Sequence, residues 1–216
     1  MEKIEVRQLV NPTPGELDAA SETLGKAFHN DTFEKSCIGG NYDHMHAFQR
    51  AIIAAAVVGG GQFWVAKYGD HDFAGAAVWF GPQTALMHTP EQGEAGFNAL
   101  LGSFPEGLLN WWVQYFLPKY ETFTTGALGE GTKLGAWHLQ QIGVLPEYHG
   151  KGIAKALIKA VENKPEAAGS LFVLEAEFAE NLPIYEKLGY AIKAKDDFNG
   201  SVPDSDFPMW VLAKQL

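Results

Sequence analysis

The sequence predicts a single α/β domain built around a mixed sheet, and two observations carry that prediction. Strand-like apolar runs and helical periodicities follow one another in the order β-α-α-β-β-(insert)-β-α-β-α-β-β, the alternation expected of strands covered by helices. No repeat, low-complexity tract or linker interrupts the 216 residues, so 1–216 reads as one domain. A chain of that length buries roughly 70% or more of its unfolded surface, enough for a full core.

From Ile4 to Val10 apolar residues roughly alternate, the period of a strand. Thr13 and Glu16 form an S/T-x-x-E capping signature with Pro14 at the first helical position, which starts a helix running to about Phe28. A loop around Gly39 and Gly40 leads to a second helix, roughly Asp43 to Val58, stopped by three glycines at 59–61. Two β-rich runs, Gln62 to Tyr68 and Phe73 to Phe80, flank Gly69-Asp70-His71-Asp72 and predict a hairpin. Residues 81–133 carry the weakest pattern. There Phe97 to Leu117 is rich in Leu, Trp and Phe but broken by Gly102, Pro105 and Gly107, which predicts two short helices inside an insert. Leu134 to Val144 reads as a strand closed by Pro146, and Gly152 to Asn163 has helical periodicity. Leu171 to Glu177 is a buried-looking strand, and Leu182 to Leu188 a short helix ended by Gly189. Tyr190 to Ala194 and Met209 to Ala213 complete the strands, joined by a polar loop over 195–208 that, with the insert at 81–133, is expected to shape a ligand site.

Composition narrows the function. The chain is 46% hydrophobic, 12% aromatic and 19% charged, which fits neither a disordered nor a collagen-like protein. Its 16 Lys and Arg against 26 Asp and Glu give a net charge of −10. That balance argues against a nucleic-acid surface and leaves room for a cationic small partner. One cysteine, Cys37, permits neither an internal disulfide nor a four-cysteine zinc site. The N-terminal MEKIEVRQLV lacks the apolar core of a signal peptide, and the most apolar run, Ala51 to Val58, falls far short of the ~20 residues that cross a bilayer. A cytoplasmic protein without a membrane segment is expected. His44-x-His46 stands without a partner motif, so no metal site is expected.

The stretch that carries chemistry is Trp137 to Ala154, WHLQQIGVLPEYHGKGIA. A strand ends at a proline, and a loop holding Gly150, Lys151 and Gly152 enters a helix. Loop amides and the positive end of a helix converge there, which suits a diphosphate. Lys151, Lys155 and Lys159 recur every four residues as a basic stripe, while Ile153, Leu157 and Val161 form the stripe that packs on the sheet. A P-loop does not fit, because six residues separate Gly143 from Gly150 and no Ser or Thr follows Lys151. The dinucleotide fingerprint fails too, since Lys155 stands where its third Gly or Ala belongs.

The run His149-x-x-Gly152-x-Ala154 resembles the coenzyme A signature Q/R-x-x-G-x-G/A of the GCN5-related N-acetyltransferase (GNAT) superfamily, with histidine in place of Gln or Arg. A second block, LEAEFAENLPIYEKLGY over 174–190, is similar to the strand and helix that follow it in that superfamily, with Asn181 and the Tyr185-x-x-x-Gly189-Tyr190 ending both present. Together the blocks look closest to the puromycin N-acetyltransferase-like branch. The resemblance spans roughly residues 137–192 and sets a coenzyme A-binding core at 134–192 beside a variable insert at 81–133. It implies a mixed, mostly antiparallel sheet flanked by helices. It also implies transfer of an acetyl group from acetyl-CoA to a primary amine of a small molecule, by direct attack and without an acyl-enzyme.

Roles follow from the same resemblance. The strand ending Ile142-Gly143-Val144 would pair with the pantetheine arm, and the Val144 N–H would meet the developing oxyanion. His149, Gly150, Lys151, Gly152, Ile153 and Ala154 would hold the pyrophosphate. Asn181 would contact the arm or fix the strands. Tyr185 would protonate the departing thiolate, a phenol at ~10 and a thiol at ~8.5 being close in acidity. Glu175 would relay the amine proton, with His138 the alternative. Each residue also has an ordinary reading: glycines as turn formers, Asn181 as an N-cap, Tyr185 as a core aromatic, the lysines as a solvated face, Cys37 as buried filler. Trp79 reads as core, whereas Trp111 and Trp112 fit either the core or an acceptor pocket. The rival functions are a non-catalytic acyl-CoA-binding module on the same fold, towards which His149 leans, and a protein N-acetyltransferase. A monomer and a homodimer are equally compatible with the sequence.

Overall fold

In the computed structural model, which describes residues 2–216, strand β1 (Ile4–Gln8) leads into helix α1 (Pro14–Ala27). The capping box forms as its residues require: the Thr13 hydroxyl accepts from the Glu16 amide at 3.2 Å, and the Thr13 amide donates to Glu16 Oε2 at 2.9 Å. A further helix absent from the expected order follows, α2 (Thr32–Cys37), before α3 (Met45–Val58). Asp31 caps α2, its Oδ1 accepting from the amides of Phe33 at 2.8 Å and Glu34 at 3.2 Å. Six residues are too few to display a helical period.

The hairpin β2 (Gln62–Tyr68) and β3 (His71–Phe80) is tighter than expected, Tyr68 pairing directly with His71. The insert holds α4 (Pro90–Gln92), which bends at Gly96 into α5 (Asn98–Gly102), and α6 (Glu106–Asn110). In place of a second short helix, α6 continues through a widened turn over Trp111–Phe116 into α7 (Leu117–Leu128). The Leu117 amide there reaches back five residues to the Trp112 carbonyl. Such π turns reposition side chains within one continuous helix.

The rest of the chain forms β4 (Trp137–Val144), α8 (Ile153–Glu162), β5 (Leu171–Ala176), α9 (Leu182–Lys187), β6 (Ala191–Phe198) and β7 (Phe207–Gln215). The last two strands reach further into the polar segment than expected, because the charged residues Lys195, Asp196 and Asp197 lie on the exposed edge strand β6. All seven strands lie in one sheet, ordered β1-β2-β3-β4-β5-β7-β6. Only β4 and β5 run parallel, joined by the α8 crossover, and every other pairing is antiparallel.

Central strand β3 is buried from Ala74 to Phe80, and its side chains feed two layers. Ala76, Val78 and Phe80 pack with Leu24, Phe48 and Ile52 of α1 and α3. Ala77 and Trp79 pack with Ile153 and Leu157 of α8, and with Leu174 and Leu212. Cys37 is fully buried in the first layer. Among the described residues no helix is long and apolar enough to cross a membrane.

Candidate functional site

Two irregularities open the sheet at its centre. First, β4 and β5 pair only from Trp137 opposite Phe172 to Leu139 opposite Leu174, so Gln140–Val144 and the end of β5 have no ladder between them. Second, Val78 faces Gln141 and Trp79 faces Leu139, which leaves Gln140 as a bulge in β4. The Leu145 amide donates to the Ala74 carbonyl of β3 at 3.0 Å. Strand alternation then turns the backbone groups of Gly143 toward β3, and those of Ile142 and Val144 into the gap. Gly143 itself lies under α1, where a Cβ would come within 2.8 Å of Leu24 Cδ2 and 3.0 Å of Ala27 Cβ.

At the end of β4 the chain turns through His149 into α8. Gly150 (φ +75°) and Gly152 (φ +88°) both take the left-handed conformation, and no atom lies within 4 Å of where a Cβ at Gly150 would stand. Gly152 occupies the N-cap of α8 without a side-chain cap, so the first-turn amides of Ile153, Ala154 and Lys155 keep no helical partner. The Ile153 side chain is in the core, whereas Lys151 and Lys155 are exposed. Lys159, third of the basic stripe, pairs with Glu162 at 2.6 Å. His149 Nε2 lies 2.9 Å from the Val144 carbonyl and is the donor, because a carbonyl only accepts.

On the other side of the gap lies a cavity of about 660 Å³, bounded by Ile142, Asn181 and Tyr185 at the β4–β5 opening and by the insert opposite. Its wall carries a buried network. His138 Nε2 is 2.7 Å from Glu175 Oε2, and Lys133 Nζ is 3.0 Å from Glu175 Oε1 and bonded to the Tyr120 hydroxyl. Burial alone would raise the Glu175 carboxyl, but the Lys133 and His138 contacts outweigh it and hold the group far below the usual carboxylate range. Burial and the Lys133 charge push His138 below its ordinary value, so its ring is neutral near pH 7. Bonding to a carboxylate puts its proton on Nε2 and leaves the lone pair on Nδ1.

Tyr185 is 8% exposed and lines the cavity; burial raises its phenol, with Glu177 adding to the shift. Three further carboxylates border the same space: Asp31, Glu34 and Glu177. Burial pushes Asp31 up to about 6, against two amide hydrogen bonds that lower it. Burial and the Asp31 charge push Glu34 up to about 8. Glu177, just beyond β5, is raised by burial and by its carboxylate neighbours.

The family model for an acetyltransferase (GNAT) domain matches residues 118–192, which run from α7 to the start of β6. A histone acetyltransferase and related acetyltransferase from Corynebacterium glutamicum is similar over 99% of this chain and 96% of its own, with TM-score 0.63 and 17% identity. A Drosophila melanogaster polyamine N acetyltransferase, described as forming N acetylagmatine, aligns over 99% of this chain and 100% of its own at TM-score 0.58 and 15% identity. An agmatine N-acetyltransferase aligns over 99% and 100% at TM-score 0.62 and 15% identity. The protein has the GNAT fold.

Within that GNAT fold, Ile142, Val144, Asn181, Tyr185 and Glu175 gather around the β4–β5 gap, and His149–Ala154 lies beyond the end of β4. Asn181 sits at the N-cap position of α9, yet its side chain caps nothing. The two tryptophans divide: Trp112 lines the cavity and donates to the Cys37 carbonyl at 2.9 Å, while Trp111 donates to the Asn199 carbonyl at 3.0 Å and packs against Phe116. Residues 195–208, expected to shape the acceptor site, do not reach the cavity. They brace the insert instead, through Trp111 and through Tyr115, whose hydroxyl accepts from the Asn199 amide at 2.7 Å. Asp31, Glu34, Tyr120, Lys133, Gln141 and Glu177 are among the cavity residues that sequence reasoning missed. The D-x-x-E spacing of Asp31 and Glu34 was the one available sign, since it marks a helix start.

Proposed function

We propose that this protein is an acetyl-CoA-dependent N-acetyltransferase acting on a primary amine of a small molecule. One observation carries the proposal. A sheet opened between two parallel strands joins an uncapped helix N-terminus, on one side, to a deep cavity with a buried acid–base network on the other. The donor fits the residues present. The glycine faces at 150 and 152 admit a diphosphate close to the backbone, and the Ile142 backbone groups with the Val144 amide offer a pantetheine arm the strand partner that β5 withholds. The sequence resemblance to the puromycin N-acetyltransferase-like branch and a cavity of about 660 Å³ support a small molecule over a protein acceptor.

Bound acetyl-CoA supplies an acyl thioester to the acceptor nitrogen. The Val144 amide donates to the carbonyl oxygen as it becomes negative, a contact worth about 2.7–4 kcal/mol where such donors have been removed. His138 Nδ1 takes the proton the amine sheds, and Glu175 holds the ring in that tautomer, acting on it rather than on the amine. Tyr185 gives its phenolic proton to the departing sulfur, and its raised pKa keeps that proton in place until the thiolate forms. Gly150, Lys151, Gly152, Ile153 and Ala154 bind the diphosphate through backbone amides, with His149 bracing the loop against β4. Asn181, its side chain free of a cap, contacts the arm.

The test is coenzyme A binding by calorimetry, followed by thiol release from acetyl-CoA with a panel of amines. Binding together with amine-dependent thiol release is expected. No binding at millimolar nucleotide, or binding with no release for any amine, removes the transferase reading.

A further inference from the structure

The cavity wall carries acidic side chains that no cation among the described residues pairs. Glu175 is paired with Lys133 and His138, but Asp31, Glu34 and Glu177 make no ion pair among the described residues. Burial raises Glu34 and Glu177, and neighbouring carboxylates add to both shifts. Asp31 is 8% exposed and lines the cavity; its Oδ1 accepts two amides, and its Oδ2 accepts nothing. Gln141 Nε2 donates to Glu34 at 3.4 Å, while its buried Oε1 has no partner. Asp31 Oδ2 is open to the cavity, whereas a buried acceptor such as Gln141 Oε1 is costly unless something completes it.

The surroundings say what kind of ligand. Trp112, Phe116 and Tyr120 line the same space, and aromatic faces beside carboxylates favour an organic cation. No three of the described acidic groups converge as a metal site. The nitrogen that attacks a thioester must itself be neutral, so it is not the charge that these carboxylates balance.

We infer that the acceptor carries a second nitrogen that is cationic near neutral pH, an ammonium or guanidinium, held by Asp31, Glu34 and Glu177 while its free amine faces His138. The inference rests on the acetyltransferase reading for the word acceptor, but the cation site itself does not. Cation binding also displaces protons from carboxylates that burial had protonated, which gives a signal independent of turnover.

The experiment compares 1,4-diaminobutane with butylamine on the full-length protein, by calorimetry in the presence of coenzyme A and by acetyl transfer. The diamine is expected to bind at least about tenfold more tightly, with net proton release near pH 7 that butylamine does not cause. Asp31→Asn, which keeps the Oδ1 cap of α2, and Glu177→Gln should each lower kcat/KM for the diamine at least about tenfold more than for the monoamine. Equal binding of the two amines, or loss of activity that ignores the second charge, overturns the inference and leaves the transferase standing. Preferential diamine binding with no acetyl transfer upholds the cation site and removes the transferase.

Discussion

His138 Nε2 and Glu175 Oε2 lie 2.7 Å apart in a wall of the cavity, a neutral imidazole held by a carboxylate that Lys133 keeps ionised. His138→Gln is therefore expected to lower kcat by about 10²–10⁴, the usual contribution of a positioned base. In the native protein kcat/KM should rise with pH through an acid limb below the ordinary histidine value of about 6.5, because burial and Lys133 depress His138. Glu175→Gln removes a group that raises His138, so the limb should move to still lower pH. A pH–rate profile of each variant checks both; a limb left unmoved by Glu175→Gln contradicts the pairing.

In the proposed reaction Tyr185 carries the proton for the leaving thiolate. Tyr185→Phe should lower kcat by about 10² while leaving the coenzyme A dissociation constant within about twofold. Steady-state rates and calorimetry separate the two, and an equal loss in both would remove the acid role.

Glu34 gives stability an alkaline dependence. Its folded carboxyl is pushed up to about 8, while the unfolded group titrates near 4.5. The folded state thus holds one extra proton between those values, and stability falls as pH rises through that window. The slope is about 1.4 kcal/mol per pH unit at most. Glu34→Gln keeps a partner for Gln49, whose Nε2 donates to Glu34 at 2.9 Å, and has no proton to lose. Urea denaturation of the two proteins should diverge in the variant's favour from pH 5 to pH 8. Parallel curves would place no such proton on Glu34.

Gly143 tests the fold at the site. Adding a methyl there drives it into Leu24 and Ala27 of α1, so Gly143→Ala should cost about 1–3 kcal/mol in urea denaturation. A neutral effect would mean that α1 does not press on β4 at this point.

The strands and the α8 loop were legible because each is written locally. Strand alternation, the Thr13–Glu16 box and the glycines before Ile153 need no distant partner to be recognised. Tyr185, Asn181 and Glu175 were singled out by the family resemblance of one short block, and the structure sets all three on the cavity wall. The acceptor wall was not, because it is assembled from afar: Lys133 meets Glu175 across 42 positions and Gln141 meets Glu34 across 107. The insert stayed unreadable for a different reason. Its π turn at Trp111–Phe116 shifts the helical phase, so apolar residues there follow no single period. The helix α2 was hidden by its length, and with it the placement of Asp31 and Glu34.

The most direct measurement is mass spectrometry of an amine incubated with the protein and acetyl-CoA labelled in the acetyl group, alongside thiol release. One labelled acetyl on the amine nitrogen for each thiol released is the predicted result. Thiol release that does not depend on added amine, or an unlabelled amine at millimolar donor, would contradict acetyl transfer at the β4–β5 opening.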